Sequence, residues 1–163
     1  MILDSLVFLS GSVLPSGAFS GQAVNGAGTI LSANTMDMAS LSLGGNQVSD
    51  TGRGRQVNFG ITVITAPTVG ATVKFQLIQA DDSALTTNVQ VINSTDDIPI
   101  ASLPAGTLVP MMLDQAVPYT AKRYLGLRYI NTGAIATASY VAGFLRDVQD
   151  VKGAIFKTGF AML

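Results

Sequence analysis

The sequence contains no histidine, no cysteine, no tryptophan and no glutamate. Without histidine and cysteine there is no imidazole relay, no thiolate nucleophile, no Ser-His-Asp triad, no zinc site of the usual kind and no disulfide. All 10 acidic residues are aspartate, so any catalysis would have to rest on Asp, Ser, Thr, Tyr and Lys. Charge is scarce: 12 % of the 163 residues are charged, against about 25 % in ordinary soluble domains. The net charge of -1 offers no field to steer a nucleic acid or an anionic membrane. A long hydrophobic run is also missing. Ile98–Leu113 falls short of the roughly 20 residues of a bilayer-spanning helix and is broken by Pro99, Pro104 and Pro110. The apolar start Met1–Leu9 carries Asp4 where a signal peptide carries a basic residue, and the first positive charge is Arg53. The chain therefore reads as a product kept inside the cell that makes it, with no targeting device.

A lone domain of 16.9 kDa should expose on the order of 7,700 Å² of surface. The 9 basic and 10 acidic side chains are few for that area, and near-zero net charge favours association. The simplest physical reading is that other protein covers much of this surface. The competing reading is a neutral Gly/Ser/Thr-rich β-protein that is merely poor in charge.

What is present alternates with a period of two. Val73, Phe75 and Leu77 alternate with Thr72, Lys74, Gln76 and Ile78; Val57, Phe59, Ile61 and Val63 with Asn58, Gly60 and Thr62. Leu125, Leu127 and Tyr129 alternate with Tyr124, Gly126 and Arg128, and a fourth such run covers Thr137–Val148. These are half-buried strand patterns. Shorter candidates are Leu3–Leu9, Asn34–Ala39, Asn88–Ile92, Ile98–Ala101 and Thr107–Leu113. Pro67-Thr68-Val69-Gly70 reads as a hairpin connection. Asp81-Asp82-Ser83, Ser94–Asp97, Pro104-Ala105-Gly106 and Asn131-Thr132-Gly133 read as further turns. No amphipathic helix is legible. Strands at about 8–12-residue spacing with such turns predict an all-β, jelly-roll-like antiparallel β-sandwich over residues 1–147.

Two segments stand outside this pattern. Residues 10–33 are rich in Gly, Ser and Ala and read as a long loop, free or ordered on a partner, with Phe19 among its isolated apolar residues. Residues 148–163 read as a C-terminal arm carrying Ile155, Phe156, Phe160, Met162 and Leu163. So many large apolar groups are expected to pack on the sandwich or on a neighbour.

Candidate sites are few. Asp81-Asp82 and Asp96-Asp97 pair carboxylates, but aspartates at hairpin tips are commonly turn formers, and no calcium-loop spacing is present. Gly26-Ala27-Gly28 lacks the rest of a dinucleotide loop. Arg53 and Arg55, in Gly52-Arg53-Gly54-Arg55, are either a solvated turn or an arginine pair docking on acidic groups of a partner. Tyr119, Tyr124, Tyr129 and Tyr140 fit core or interface packing better than base stacking, because no basic groove surrounds them. No cofactor or metal site is expected.

The order of features has a parallel in a known family. Met1-Ile2-Leu3-Asp4 opens an apolar strand; Ser32–Met38 and Gly52-Arg53-Gly54 follow; then come Val73-Lys74-Phe75-Gln76-Leu77, Gln79-Ala80-Asp81-Asp82 and Leu103-Pro104-Ala105-Gly106. Tyr124–Tyr129 and Thr137–Leu145 complete the series. In this order and spacing, over most of residues 1–147, the chain resembles the capsid cement (decoration) proteins of tailed phages of the Bordetella-phage type. The resemblance implies a jelly-roll sandwich on the outer surface of the virion, made in the bacterial host cytoplasm. Its implied partners are the major capsid protein and further copies of itself, as a homodimer or homotrimer, with no nucleic acid and no membrane. It implies binding without an active site. The candidate partner-binding residues are then Arg53, Arg55, Phe19, Ile155, Phe156, Phe160, Met162 and Leu163. The alternatives are a carbohydrate-binding β-sandwich displayed on a virion, which the lack of tryptophan disfavours, and an Asp-dependent hydrolase, which the lack of His and Glu disfavours.

Overall fold

The computed structural model describes residues 8–37, 57–113 and 122–145. They form strands β1 (Phe8–Ser10), β2 (Ser12–Val13), β3 (Phe19–Ser20), β4 (Gln22–Ala23), β5 (Gly26–Leu31), β6 (Met36–Asp37), β7 (Val57–Thr68), β8 (Thr72–Ala80), β9 (Gln90–Ser94), β10 (Ile98–Pro99), β11 (Leu108–Leu113), β12 (Tyr124–Ile135) and β13 (Thr137–Leu145). One turn of 3-10 helix, Ile100–Ser102, follows β10. No helix among the described residues is long and apolar enough to cross a membrane.

The alternation explains the long strands. On β8, Val73, Phe75 and Leu77 are fully buried while Thr72, Lys74 and Gln76 are half-exposed. A strand with one apolar row is stable only when that row meets another sheet. Two sheets meet here. One has the order β1-β13-β7-β11, with β4 also pairing β13; the other has β10-β8-β12-β5, with β9 also on β8 and β6 also on β12. Pairing within both is antiparallel. Taking β1, β5, β7, β8, β9, β11, β12 and β13 as the principal strands, the first pairs the last and the second pairs the next to last. That wrapping is a jelly roll, as expected.

The core is centred on three rings. Phe75 and Tyr129 face each other in one sheet with centroids 5.7 Å apart. Tyr140 of the other sheet stacks on Tyr129 at 5.4 Å and meets Phe75 edge-on at 5.3 Å. The rings tie the sheets together, and removing one, as in Phe75→Ala, should cost about 3–5 kcal/mol.

Four sequence expectations change. Pro67-Thr68-Val69-Gly70 is not a hairpin connection: it carries the chain from β7 in one sheet to β8 in the other. Gly70 makes the corner possible, with φ of +90° and a bare Cα whose Cβ would lie 2.8 Å from Ile135 Cγ1. Asn131-Thr132-Gly133 is not a turn between strands but an irregularity inside β12, where its register against β5 shifts between Asn131 and Ile135. Ile98–Ala101 is a strand for two residues only, because it then enters the 3-10 turn. Residues 10–33 are not one long loop. They carry β2 to β5, of which β4 joins one sheet and β5 the other. The expected arm 148–163 lies outside the described residues.

Candidate docking surface

The strands β1, β4, β7, β11 and β13 contain no charged residue. Every charged residue among the described ones belongs to the opposite sheet or its loops. Lys74 lies on β8, Arg128 on β12 and Asp37 on β6; Asp81 and Asp82 follow β8, Asp96 and Asp97 precede β10, and Lys122 and Arg123 lead into β12. Among the described residues, the sandwich has a neutral side and a charged side.

The charged side is largely matched within itself. Arg123 donates to both carboxylate oxygens of Asp37, at 3.0 and 2.8 Å, and lies over the Tyr124 ring at 5.1 Å. This bonding to Asp37 holds the Arg123 guanidinium charged beyond its ordinary range. Lys122 meets Asp81 at 2.9 Å, and Lys74 meets Asp97 at 3.2 Å. The Lys122 ammonium, with help from Asn88, holds the Asp81 carboxyl below the usual carboxylate range. Exposed pairs of this kind add little stability. Arg128 donates twice to the Gln76 side-chain carbonyl, at 2.8 and 2.6 Å.

The neutral side satisfies its polar groups differently. By alternation with the buried Phe59, Ile61 and Val63, residues Gly60 and Thr62 of β7 lie on the face away from the core, where Thr62 is half-exposed while Gly60, Val141 and Gly143 are buried. Gly60 sits between Pro110 of β11 and Gly143 of β13, and Thr62 sits between Leu108 and Val141. Towards one end, the Ser139 hydroxyl donates to Thr65 Oγ1 at 2.8 Å, and the Thr68 and Thr137 hydroxyls share a bond of 2.6 Å. Hydroxyls already paired with one another lose little when a partner displaces water.

A hairpin stands on this side. Strands β2 and β3 pair through Ser12–Ser20 and Val13–Phe19. Their turn is closed by the Leu14 N–H donating to the Ala18 carbonyl and the Gly17 N–H to the Leu14 carbonyl, both at 2.8 Å. Val13, Leu14 and Phe19 are 37 %, 44 % and 39 % exposed, a cluster of large apolar side chains on one short element. Phe19 meets the buried Phe8 of β1 edge-on at 6.2 Å, which anchors the hairpin to the sheet.

Of the residues singled out in the sequence, Phe19 thus lies on the hairpin. Arg53, Arg55, Ile155, Phe156, Phe160, Met162 and Leu163 lie outside the described residues, as does Tyr119. Tyr129 and Tyr140 are core residues, and Tyr124 is half-buried beneath Arg123. Asp82 is a turn former: its carboxylate accepts from the Thr86 and Thr87 N–H groups at 2.9 and 2.6 Å and from the Thr86 hydroxyl at 2.8 Å. Val13 and Leu14, unlike Phe19, are not among the candidate partner-binding residues of the sequence, although Leu14 is one of the isolated apolar residues of 10–33. Their signal was the charge-free stretch between Ser5 and Met36.

Comparison with known families places the chain. The Bbp16 family model matches residues 19–145, from β3 to the end of β13. The chain belongs to the Bbp16 family. Bbp16 is a phage protein family of the Bordetella-phage type. The match takes in Phe19 and both sheets apart from β1, while β1, Val13 and Leu14 precede it. None of the curated proteins compared with the chain matches it.

Proposed function

We propose that this Bbp16 family member is a structural virion protein that cements the outer surface of a tailed-phage capsid. In this reading it lays its neutral sheet and its hairpin across joints between major capsid protein subunits, in contact with copies of itself, and performs no catalysis. The charged sheet and its loops then face solvent.

The observation that carries the reading is the segregation of charge. Burying an unpaired charge at an interface costs several kcal/mol, whereas a sheet of paired hydroxyls, glycines and aliphatic groups can be covered at little expense. Contacts of modest strength repeated over a closed lattice add up to firm attachment. A carbohydrate-binding sandwich would need an exposed aromatic platform, and Tyr129 and Tyr140 are instead committed to the core. The test is co-sedimentation of the purified chain with emptied, expanded phage heads. Saturable binding at a fixed ratio to the major capsid protein is expected; absence of binding would refute the reading.

A further inference from the structure

The hairpin leaves the sheet at Ser10 and returns at Gln22. Those two residues are joined by their side chains, the Ser10 hydroxyl donating to Gln22 Oε1 at 2.6 Å. A third group reaches them from the core of the opposite sheet: the Tyr129 hydroxyl donates to Ser10 Oγ at 2.6 Å. Gln22 completes the network, accepting from the Ala33 N–H at 2.7 Å and donating to the Leu31 carbonyl at 2.8 Å. Ser10 and Tyr129 are both fully buried.

Both stems of the hairpin also lie flush on β13. A Cβ at Gly11 would sit 2.5 Å from the Ser20 carbonyl oxygen and 2.7 Å from Val141 Cγ2. A Cβ at Gly21 would sit 2.9 Å from Ser139 Cβ and Oγ. Only bare backbone passes at these two points.

A hairpin of two-residue strands does not hold itself together in water. Its attitude comes from its base. A polar chain in the middle of an apolar core is also a poor route to stability alone, since apolar groups of the same shape would serve nearly as well. What such a chain supplies is a fixed geometry.

We propose that the Tyr129–Ser10–Gln22 chain is a positioning latch, which holds the hairpin 11–21 as a rigid knob for insertion into a neutral, apolar recess of the phage shell. This rests on the reading of the chain as a capsid-binding protein. The partner surface must be uncharged, because neither the knob nor the sheet beneath it offers a counter-charge. The hairpin stands on the neutral sheet, the side that the capsid reading lays on the shell, and its exposed Val13, Leu14 and Phe19 carry no charge. The shell is therefore the occupant, and a second copy is the outcome that the test separates from it.

The test uses the full chain carrying Ser10→Ala with Tyr129→Phe, which removes two hydroxyls of the latch together. Two readouts are followed: hydrogen exchange of the hairpin amides, and binding to emptied phage heads. The expected result is exchange at Leu14 and Gly17 faster by about tenfold or more, a larger factor than the one by which the variant's loss of overall stability speeds the core amides of β8 and β12. Binding to heads falls by a similar factor, about tenfold. Leu14→Ser should weaken binding without altering exchange elsewhere. If the double variant fails to fold, Gln22→Ala is read in the same way.

Wild-type exchange and wild-type binding in the double variant would overturn the latch. If the wild-type chain binds no heads, the capsid reading fails, and with it the shell as occupant, while the exchange arm still decides whether the latch orders the hairpin. If Leu14→Ser abolishes self-association and leaves head binding intact, a second copy is the occupant and the assignment to the shell is overturned.

Discussion

Leu85 is seated directly on Gly126: a Cβ built at Gly126 would run into the Leu85 side chain. Leu85 belongs to the β8–β9 loop and holds a left-handed backbone, with φ of +57°. Its burial over Ile78 and Ala80 on the outer side of the charged sheet holds it there. Such a backbone costs a non-glycine residue about 1–2 kcal/mol.

The first prediction concerns that contact. Gly126→Ala should destabilise the chain by about 1–3 kcal/mol through overpacking. Leu85→Ala should cost about 2–3 kcal/mol for the lost burial, whereas Leu85→Gly, which also releases the strained backbone, should cost no more than the alanine variant. Urea unfolding of the single variants and of Gly126→Ala/Leu85→Ala provides the check, and the double variant should lose less than the sum of the two.

Buried tyrosines set the alkaline limit. Burial pushes the Tyr140 hydroxyl up to about 12 and moves that of Tyr129 in the same direction. Both exceed the ordinary tyrosine value of about 10. Between the unfolded and folded values only the unfolded state has released its proton. Stability is therefore complete below about pH 10 and declines above it, by up to about 1.4 kcal/mol per pH unit for each tyrosine. The Tyr140 hydroxyl has no hydrogen-bond partner among the described residues, so Tyr140→Phe should be neutral or stabilising at pH 7 and should flatten the alkaline decline. Tyr129→Phe should cost about 1 kcal/mol at pH 7, because Ser10 loses its donor. Urea melts from pH 7 to 11 measure both effects.

The β8–β9 loop carries an acid-sensitive turn. Hydrogen bonds from Thr87 and Thr86 hold the Asp82 carboxyl below its ordinary value. A depressed folded value means that the turn's contribution is present above the ordinary carboxylate range and is lost as pH falls through the lower, folded value. Amide exchange at Thr86 and Thr87, corrected for its intrinsic pH dependence, should show protection that persists through pH 4 and disappears only in stronger acid. Asp82→Asn should show weakened protection already at neutral pH.

The period-two runs around Phe59, Phe75, Tyr129 and Tyr140 were legible because each strand has one face in the core, and burial writes itself into the sequence as alternation. Strand β5, Gly26-Ala27-Gly28-Thr29-Ile30-Leu31, was not legible. It lies at a sheet edge, most of it half-exposed or exposed, and pairing with β12 makes it a strand. The corner at Pro67–Gly70 was misread because turn residues look alike whether the chain returns to its own sheet or crosses to the other. The docking side was invisible for a similar reason. Asp37, Lys74, Asp81 and Arg128 are scattered along the chain, and only the jelly-roll wrapping gathers them on one side. The scarcity of charge was plain; its placement depends on topology.

Placement can be tested by moving charge. Thr62→Lys puts an ammonium on the neutral side, and Thr72→Lys puts the same group on the charged sheet. Both sites are half-exposed strand positions, and a lysine stem can carry its charge to water. Each variant should therefore stay within about 1 kcal/mol of wild-type stability. Binding to emptied heads should fall by about tenfold or more for Thr62→Lys and remain unchanged for Thr72→Lys.

The most direct measurement is a cryo-EM map of heads decorated with this chain, read for which sheet meets the shell. The account predicts β7, β11 and β13 and the Val13–Phe19 hairpin against the major capsid protein, with Lys74, Arg128 and the Asp81–Asp82 loop turned to solvent. A map in which the charged sheet lies on the shell and the neutral sheet faces water would contradict it.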